Sequence, residues 1–328
     1  MNIKKALQGS IKQFESHNIP SANLDAEVLL LEVLNISRLY TNNISEDKHD
    51  ILSTFQNDNF KLERSWIYAH NDYELTGKEN IIFNNYITRR LKQEPVAYIL
   101  NRKEFFGYEF FVNENVLIPR PETELIVKEV LEIIKNKKYF IKQYNLIDIG
   151  TGSGCILISI LNELQKNNYL KLINQSIAID ISKTAIEIAK ANAKKYNFEN
   201  NIKFINGDLT KEINQKLFSD SNDYIITANL PYISNDDYEQ LENNVKDFEP
   251  KLALASGIDG LDDISALLCS LSKVMFKNNQ NIYILLEADP NQIDYIIKEF
   301  DIYFKKKEST IIEDFSEKNR IIVTKIGF

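Results

Sequence analysis

A doubly wound α/β domain with a mostly parallel sheet, preceded by a smaller helical domain, is the fold class this sequence predicts. Two observations carry that reading. After residue 140, short apolar runs alternate with helical patterns, as parallel strands joined by crossover helices do. The first of those runs ends in Asp148-Ile149-Gly150-Thr151-Gly152-Ser153-Gly154. Three glycines in five residues let a strand turn sharply and bring backbone N–H groups against a ligand at a helix start.

The N-terminal part reads as helical. Ile3, Leu7, Ile11 and Phe14 recur at helical spacing, and Leu24, Val28, Leu31 and Leu34 do so again after Pro20-Ser21. Thr76 and Glu79 stand three apart, a capping-box pattern for a helix through Ile81, Ile82, Tyr86 and Ile87 to Leu91. The polar stretch from Tyr40 to Asn71 yields no clear element. Residues 104–112 and 116–118 read as two strands around Asn113-Glu114-Asn115. Pro119-Arg120-Pro121 then ends regular structure before a helix over 122–134. The expected organisation is a helical domain at 1–92, a linker with a β-hairpin at 93–120, and the α/β domain at 121–328. Within the last, strands are expected at 145–149, 176–179, 202–205, 224–227, 282–286 and 321–324. Helices are expected at 156–164, 183–196, 264–276 and 292–300.

Composition narrows the function. Asp+Glu number 47 against 39 Lys+Arg, a net charge of −8, which argues against a broad electrostatic grip on duplex nucleic acid. Cys155 and Cys269 form no CxxC pair, and His17, His49 and His70 share no ligand-like spacing. Neither a disulfide scaffold nor a metal site is expected. The start carries no apolar signal core, and the run 28–34, broken by Glu32, is too short to span a bilayer. A cytoplasmic protein without a membrane partner is expected.

In a doubly wound sheet, ligands gather at the carboxyl ends of the strands. The glycine loop has GxGxG spacing, unlike the GxGxxG dinucleotide fingerprint, and no Gly-Lys-Ser/Thr follows to make a Walker loop. Asp180 ends the second strand, where a carboxylate accepts from ribose hydroxyls. Its alternative is to cap the next helix, a role equally open to Ser182. Asp208, in Asn206-Gly207-Asp208-Leu209, can accept from an adenine amino group or simply shape a turn. The fourth strand runs into Asn229-Leu230-Pro231-Tyr232. The Asn229 oxygen and a nearby backbone carbonyl can accept both hydrogens of a planar NH2 group, with the Tyr232 ring on its plane. An Asn-x-Pro turn is the plainer alternative. Four consecutive strand ends that together fit one nucleoside and one amide favour a site. Cys155 reads as a small buried residue, and Glu124 as a favourable first-turn charge, a role also open to Glu122.

These residues resemble those of S-adenosylmethionine-dependent methyltransferases that modify amide or amino nitrogen. More narrowly, the chain resembles the release factor glutamine N5-methyltransferases, the PrmC or HemK family. The likeness includes Asp25-Ala26-Glu27-Val28-Leu29-Leu30, Glu94-Pro95-Val96-Ala97-Tyr98-Ile99-Leu100 and Glu104-Phe105-Phe106-Gly107. Its family-specific parts are Pro119-Arg120-Pro121-Glu122-Thr123-Glu124 and Phe248-Glu249-Pro250. The resemblance implies a Rossmann-like class I methyltransferase domain. It implies methyl transfer from S-adenosyl-L-methionine to the side-chain nitrogen of the glutamine in the Gly-Gly-Gln motif of peptide-chain release factors. Carried over by position, Gly150, Thr151, Gly152, Ser153 and Gly154 contact the methionine part of the cofactor. Asp180 takes the ribose, while Asp208 and Leu209 take the adenine. Asn229, Leu230, Pro231 and Tyr232 hold the glutamine, with Asn229, Pro231 and Tyr232 catalytic and Asn229 also touching the cofactor. No metal is implied, Arg120 and Glu122 are placed at the active-site wall, and the helical domain helps dock the release factor.

Departures from the family pattern are local. Leu230 stands where the family usually has Pro, and Asn-Leu-Pro-Tyr is also typical of rRNA adenine dimethyltransferases. A nucleic-acid adenine N6-methyltransferase is therefore the alternative. Against it, the segment from Asp236 to Glu249 holds six carboxylates and one Lys, which would repel a phosphate backbone. Release factors are the expected partners, with no direct nucleic-acid substrate. A catalytically idle binding module would not need both the glycine loop and the Asn229 tetrapeptide. Glu287-Ala288-Asp289 replaces the usual Glu-Ile-Gly, at a place expected to lie away from the chemistry.

Overall fold

The computed structural model describes residues 1–42, 61–136, 142–277 and 279–327. The chain divides into two compact units, Met1–Asn101 and Arg102–Phe328. His49 lies outside the described residues.

The first unit is helical: α1 (Ile3–Ser16), α2 (Ala22–Asn42), α3 (Arg64–Ala69), α4 (Gly77–Leu91) and α5 (Val96–Ile99). The capping box forms as the spacing predicts. Thr76 Oγ1 accepts from Glu79 N at 3.2 Å, and Glu79 Oε2 accepts from Thr76 N at 2.7 Å. On α1, Ile3 and Phe14 are buried, with Leu7 and Ile11 at the margin. The face of α2 is rotated from the one expected. Ala26, Leu29, Leu30 and Val33 enter the core, whereas Leu24 is 48% exposed. The cause is polar. Asp25, Glu27 and Glu32 are buried on α2 as well, so counting apolar residues misjudges which side faces inward. Asp25 Oδ2 accepts from Arg90 Nε of α4 and from Ser21 Oγ, each at 2.7 Å. Glu27 binds Arg64 and Tyr68 of α3.

The second unit begins with an antiparallel hairpin, β1 (Arg102–Phe105) and β2 (Tyr108–Phe111). Its turn is Phe106-Gly107, not 113–115. Both turn residues have positive φ, 54° and 73°, the conformation a two-residue hairpin turn demands. Residues 116–118 form no strand, and Ile118 N instead donates to Glu249 Oε2 at 3.1 Å. Phe105 and Phe110 anchor the hairpin in the core of this unit.

A 3₁₀ turn at Pro121–Thr123 then leads into α6 (Glu124–Lys135) and the alternating part. It runs β3 (Tyr144–Ile149), α7 (Cys155–Lys166), β4 (Ile173–Asp180), α8 (Lys183–Lys195), β5 (Ile202–Asn206), α9 (Leu209–Glu212) and β6 (Asp223–Ala228). Short helices α10 (Asn235–Glu239) and α11 (Asn243–Lys246) precede α12 (Asp262–Ser272), β7 (Asn281–Glu287), α13 (Ile293–Tyr303), β8 (Lys307–Glu313) and β9 (Asn319–Gly327). The sheet order is β5-β4-β3-β6-β7-β9-β8, parallel except that β9 is antiparallel to both its neighbours. Every strand expected after residue 140 is present. β8 is the addition. It sits at the sheet edge with four charged or hydroxyl residues leading the run Lys307-Glu308-Ser309-Thr310, so it carries little of the apolar signal that betrays a central strand.

Strand β3 is buried along its whole length. Its Leu146 enters the core beneath α6 and α7, and Ile147 and Ile149 enter the core beneath α12 and α13. From β3 the chain winds outward through β4 to β5, then returns to place β6 on the other side of β3. The loops after β3 and β6 therefore part in opposite directions and leave a crevice above the strand ends.

The buried Asp25–Arg90 pair gives a stability prediction. Arg90→Met should leave the carboxylate buried with only Ser21 as partner and destabilise the chain by about 3–5 kcal/mol. Urea unfolding of the full-length protein measures this, and a loss below about 1 kcal/mol would mean Asp25 gains solvent once Arg90 is gone.

Candidate active site

A cavity of about 320 Å³ lies over the carboxyl ends of β3 to β6. The loop after β3 supplies Gly150, Thr151, Gly152 and Ser153 to its wall; the ends of β4 and β5 supply Asp180, Asp208 and Leu209. Asn229, Leu230 and Pro231 close it from the end of β6. Of the residues singled out in the sequence, Gly154 and Tyr232 do not line this cavity. Gly154 has φ +80°, and a Cβ there would lie 2.9 Å from Ile158 Cδ1 and 3.3 Å from the Ala189 Cβ. It is the residue that lets α7 pack against α8.

The glycine loop is pinned from below. Asp148, fully buried, accepts from Thr151 Oγ1 at 2.6 Å and from Thr227 Oγ1 at 2.7 Å. Burial pushes its carboxyl up to about 6, while the two threonine hydroxyls hold it down. Thr151 N donates to Ile179 O at 3.0 Å, and Asn192 Nδ2 donates to Ser153 O at 2.8 Å. The loop is thus tied to β3, β4, β6 and α8 at once.

Asp180 does not cap α8. Ser182 does, accepting from Ala185 N at 3.2 Å. Instead Asp180 Oδ2 accepts from Gly152 N at 2.9 Å and Oδ1 from Ser182 N at 2.8 Å. Burial raises its carboxyl above the usual range and the two backbone donors oppose that shift. Two lone-pair sites remain for hydroxyls of a ligand. Asp208 does cap, accepting from Thr210 N and Oγ1 on Oδ1 alone. Those bonds hold its carboxyl below the usual range. Its Oδ2 is 3.8 Å from the exposed Lys211. Ser153 Oγ is buried with no hydrogen-bond partner among the described residues. Such an orphan in the wall of a cavity, beside a carboxylate with spare lone pairs, fits a polar ligand threaded along the glycine loop.

At the far end, Asn229 Nδ2 donates to Thr123 Oγ1 at 3.0 Å, and Thr123 Oγ1 donates to Glu287 Oε2 at 2.6 Å. Tyr232 OH donates to Glu287 Oε1 at 3.3 Å, and Gln292 Nε2 donates to Tyr232 O at 2.9 Å. Glu287 is 1% exposed. Contrary to the expectation that it lies away from the chemistry, it is bonded to Tyr232 and one hydroxyl removed from Asn229. The strand-end rule, applied to β7 as to the earlier strands, would have found it. Thr123, within Pro-Arg-Pro-Glu-Thr-Glu, is the member of that segment that touches Asn229. Arg120 lines the cavity and Glu122 does not.

Charge around the site is partly folded away. Glu249 is buried and binds Arg120 Nη2 at 2.6 Å, so it is no surface carboxylate. Asp236, Asp237, Glu239, Glu242 and Asp247 stay exposed. Cys155 is buried, and that burial pushes its thiol up to about 12, the opposite of an activated nucleophile. Among the described residues no His, Cys, Asp and Glu group is arranged to hold a metal ion, and no helix is long and apolar enough to cross a membrane.

Known proteins with related sequences fit this geometry. Residues 140–291 match the family model "Methyltransferase domain", and residues 41–100 match "PrmC N-terminal domain". The chain is 32% identical over 267 residues to a release factor glutamine methyltransferase of Koribacter versatilis, covering 81% of this chain and 80% of that protein. It is also 32% identical over 267 residues to one of Clostridium acetobutylicum, covering 81% and 87%. A bifunctional methyltransferase of Rickettsia prowazekii is 34% identical over 263 residues; the match covers 76% of this chain but 48% of that longer protein. Among solved structures, the hMettl16 catalytic domain in complex with a MAT2A 3'UTR hairpin superposes with a TM-score of 0.50 at 16% identity, covering 74% of this chain and 81% of that one. At that identity the likeness shows the class I methyltransferase fold alone. The identity shared with the curated relatives, over most of both chains, decides the family: this chain belongs to the release factor glutamine methyltransferases.

Proposed function

We propose that the protein transfers a methyl group from S-adenosylmethionine to the side-chain amide nitrogen (N5) of the glutamine in the Gly-Gly-Gln motif of peptide-chain release factors. The observation that carries the reading is Asn229. Its Nδ2 is engaged by Thr123 while its Oδ1 takes no donor from the described residues, in the wall of the cavity. An unengaged amide oxygen there suits a substrate that brings its own N–H hydrogens. The relatives' names point the same way.

S-adenosylmethionine supplies an electrophilic methyl group. In this reading Gly150 to Ser153 hold its methionine part, Asp180 its ribose hydroxyls, and Asp208 Oδ2 with Leu209 its adenine. An amide nitrogen is a poor nucleophile because its lone pair is delocalised into the carbonyl. Asn229 Oδ1 and a neighbouring backbone carbonyl accept the two N–H hydrogens, which orients the nitrogen and supports the positive charge that develops on it. The methylated nitrogen is acidic and releases its proton to solvent, so no dedicated base is required. Pro231 fixes the turn that holds Asn229, and Tyr232 braces that turn through its bonds to Glu287 and Gln292.

Release factors, not nucleic acid, are the substrates in this reading, and the protein works with them in the cytoplasm. The five exposed carboxylates between Asp236 and Asp247 support this, because a phosphate backbone approaching Asn229 would meet them. The helical unit serves to recognise the release factor beyond its glutamine. An intact release factor should then exceed a short Gly-Gly-Gln peptide in kcat/KM, and equal values would remove that role from the helical unit.

Two substitutions separate cofactor binding from substrate orientation. Asp180→Ala should weaken cofactor binding by roughly 1.5–3 kcal/mol, since the lost acceptor is charged. Calorimetry with the folded variant measures it, and unchanged affinity would confine Asp180 to bracing the glycine loop. Asn229→Ala should lower kcat by about 10²–10³-fold, on the scale of a lost oxyanion-hole partner, with a smaller effect on cofactor affinity. Single-turnover methylation of a release factor tests it; a rate near that of the unmutated protein would sink the amide-holding mechanism.

A further inference from the structure

Glu287 is a buried carboxylate that the reaction as set out above does not use. It ends β7, beside the end of β6: Ala228 pairs with Leu286, so Asn229 and Glu287 are the next positions on adjacent strands. Its two oxygens go to two different parts of the site. Oε2 takes the Thr123 hydroxyl and Oε1 the Tyr232 hydroxyl.

We propose that Glu287 is a positioning residue for the methyl transfer: acting through Thr123, it fixes which way the Asn229 side-chain amide faces. The chemical consequence rests on the glutamine-methylation reading. The hydrogen-bond logic does not. An ionised carboxylate only accepts, and a threonine hydroxyl has a single hydrogen. That hydrogen is committed to Glu287 at 2.6 Å. Thr123 Oγ1 can then only accept from Asn229, so Nδ2 must face Thr123, at 3.0 Å. Oδ1 is left to face the other way, as an acceptor. Each bond polarises the next, which makes Oδ1 a stronger acceptor for the N–H of an amide that is gaining positive charge.

Protonation undoes the arrangement. A neutral Glu287 can donate to Thr123 Oγ1, Thr123 can donate to the Asn229 amide, and that amide can turn over. Nδ2 would then meet the substrate NH2 donor to donor. The groups facing Glu287 are Glu122 of the 3₁₀ turn, which opposes its charge, and Arg320 of β9 and the Tyr232 and Thr123 hydroxyls, which favour it. Burial outweighs them and pushes the carboxyl up to about 7. The competent form is the carboxylate, so transfer should slow as pH falls through about 7.

The test has one readout that needs no substrate. In the full-length chain labelled with ¹⁵N, the Asn229 side-chain NH2 signal is assigned by its loss in Asn229→Asp. It should titrate near pH 7 and become independent of pH in Glu287→Leu and in Thr123→Val. A signal that does not move with pH in the unmutated protein overturns the relay. The second readout is single-turnover methylation of a release factor. Glu287→Leu and Thr123→Val should each lower kcat by about 10–10²-fold, the scale of a misplaced reacting group, with KM little changed. Thr123→Ser should keep the rate. The double variant should be no slower than either single one, because both break the same chain. Multiplying losses in the folded double variant would show two independent roles and overturn the proposal. If the unmutated protein methylates no release factor while Asn229 still titrates with Glu287, the relay stands and the substrate reading falls.

Discussion

The site depends first on one buried carboxylate. Asp148 sits in the central strand with no exposure and holds two hydroxyls, one from the glycine loop and one from β6. These are the two segments that part at the crevice, and a single side chain spans them. Its desolvation is unfavourable, as the upward displacement of its carboxyl to about 6 reflects. The compensation is geometric: the loop cannot shift relative to Asn229 without breaking a charge-assisted bond. Everything that must be placed at tenths of an ångström is measured from that strand.

The sheet was legible because central strands are apolar runs and helices between them keep a 3.6-residue period. The candidate site was legible because parallel strands end on one side of the sheet, so Asp180, Asp208 and Asn229, which line one cavity, could be picked out by position alone. Three features escaped for distinct physical reasons. The hairpin turn at Phe106-Gly107 places a bulky aromatic at positive φ, which residue preferences argue against. The inward face of α2 carries Asp25, Glu27 and Glu32, whose partners lie far along the chain and cannot be seen in a local window. Strand β8 is a solvated edge. Asp208 illustrates a different limit: capping and ligand binding use the same residue type at the same place, and the structure shows both its caps on one oxygen.

Glu249 and Glu287 extend that lesson from elements to charges. In sequence Glu249 counts among the acids of a charged run as well as in a family motif, and Glu287 stands beside a departure from a familiar motif; neither context shows a buried carboxylate. Both are buried. Glu249 joins the Arg120 guanidinium to the backbone N–H of Ile118, which fastens the segment leading to Thr123. Glu287 receives Thr123 itself. The Pro-Arg-Pro-Glu-Thr-Glu segment is therefore gripped by two carboxylates that sequence places more than a hundred residues away. Neither grip could be inferred without the fold.

Taken with Asp148 and Asp180, these residues make four carboxylates at the site. Asp180 lines the cavity, and the other three bind the lining residues Thr151, Arg120 and Thr123 from behind. Asp208 and Asp263 also line it, and Arg120 is the one cation among the lining residues. A low-dielectric wall strengthens their effect. Such a field suits a reaction that begins with a positive sulfonium and moves that charge onto an amide nitrogen. It also distinguishes donor from product, because the sulfide left behind is neutral at sulfur and gains nothing from nearby negative charge. Burying carboxylates is unfavourable for the fold, and each of these four is braced by hydroxyl, backbone or guanidinium donors. The same donors that make their burial tolerable also position the loops around the cavity, so stability and loop orientation here come from one set of bonds.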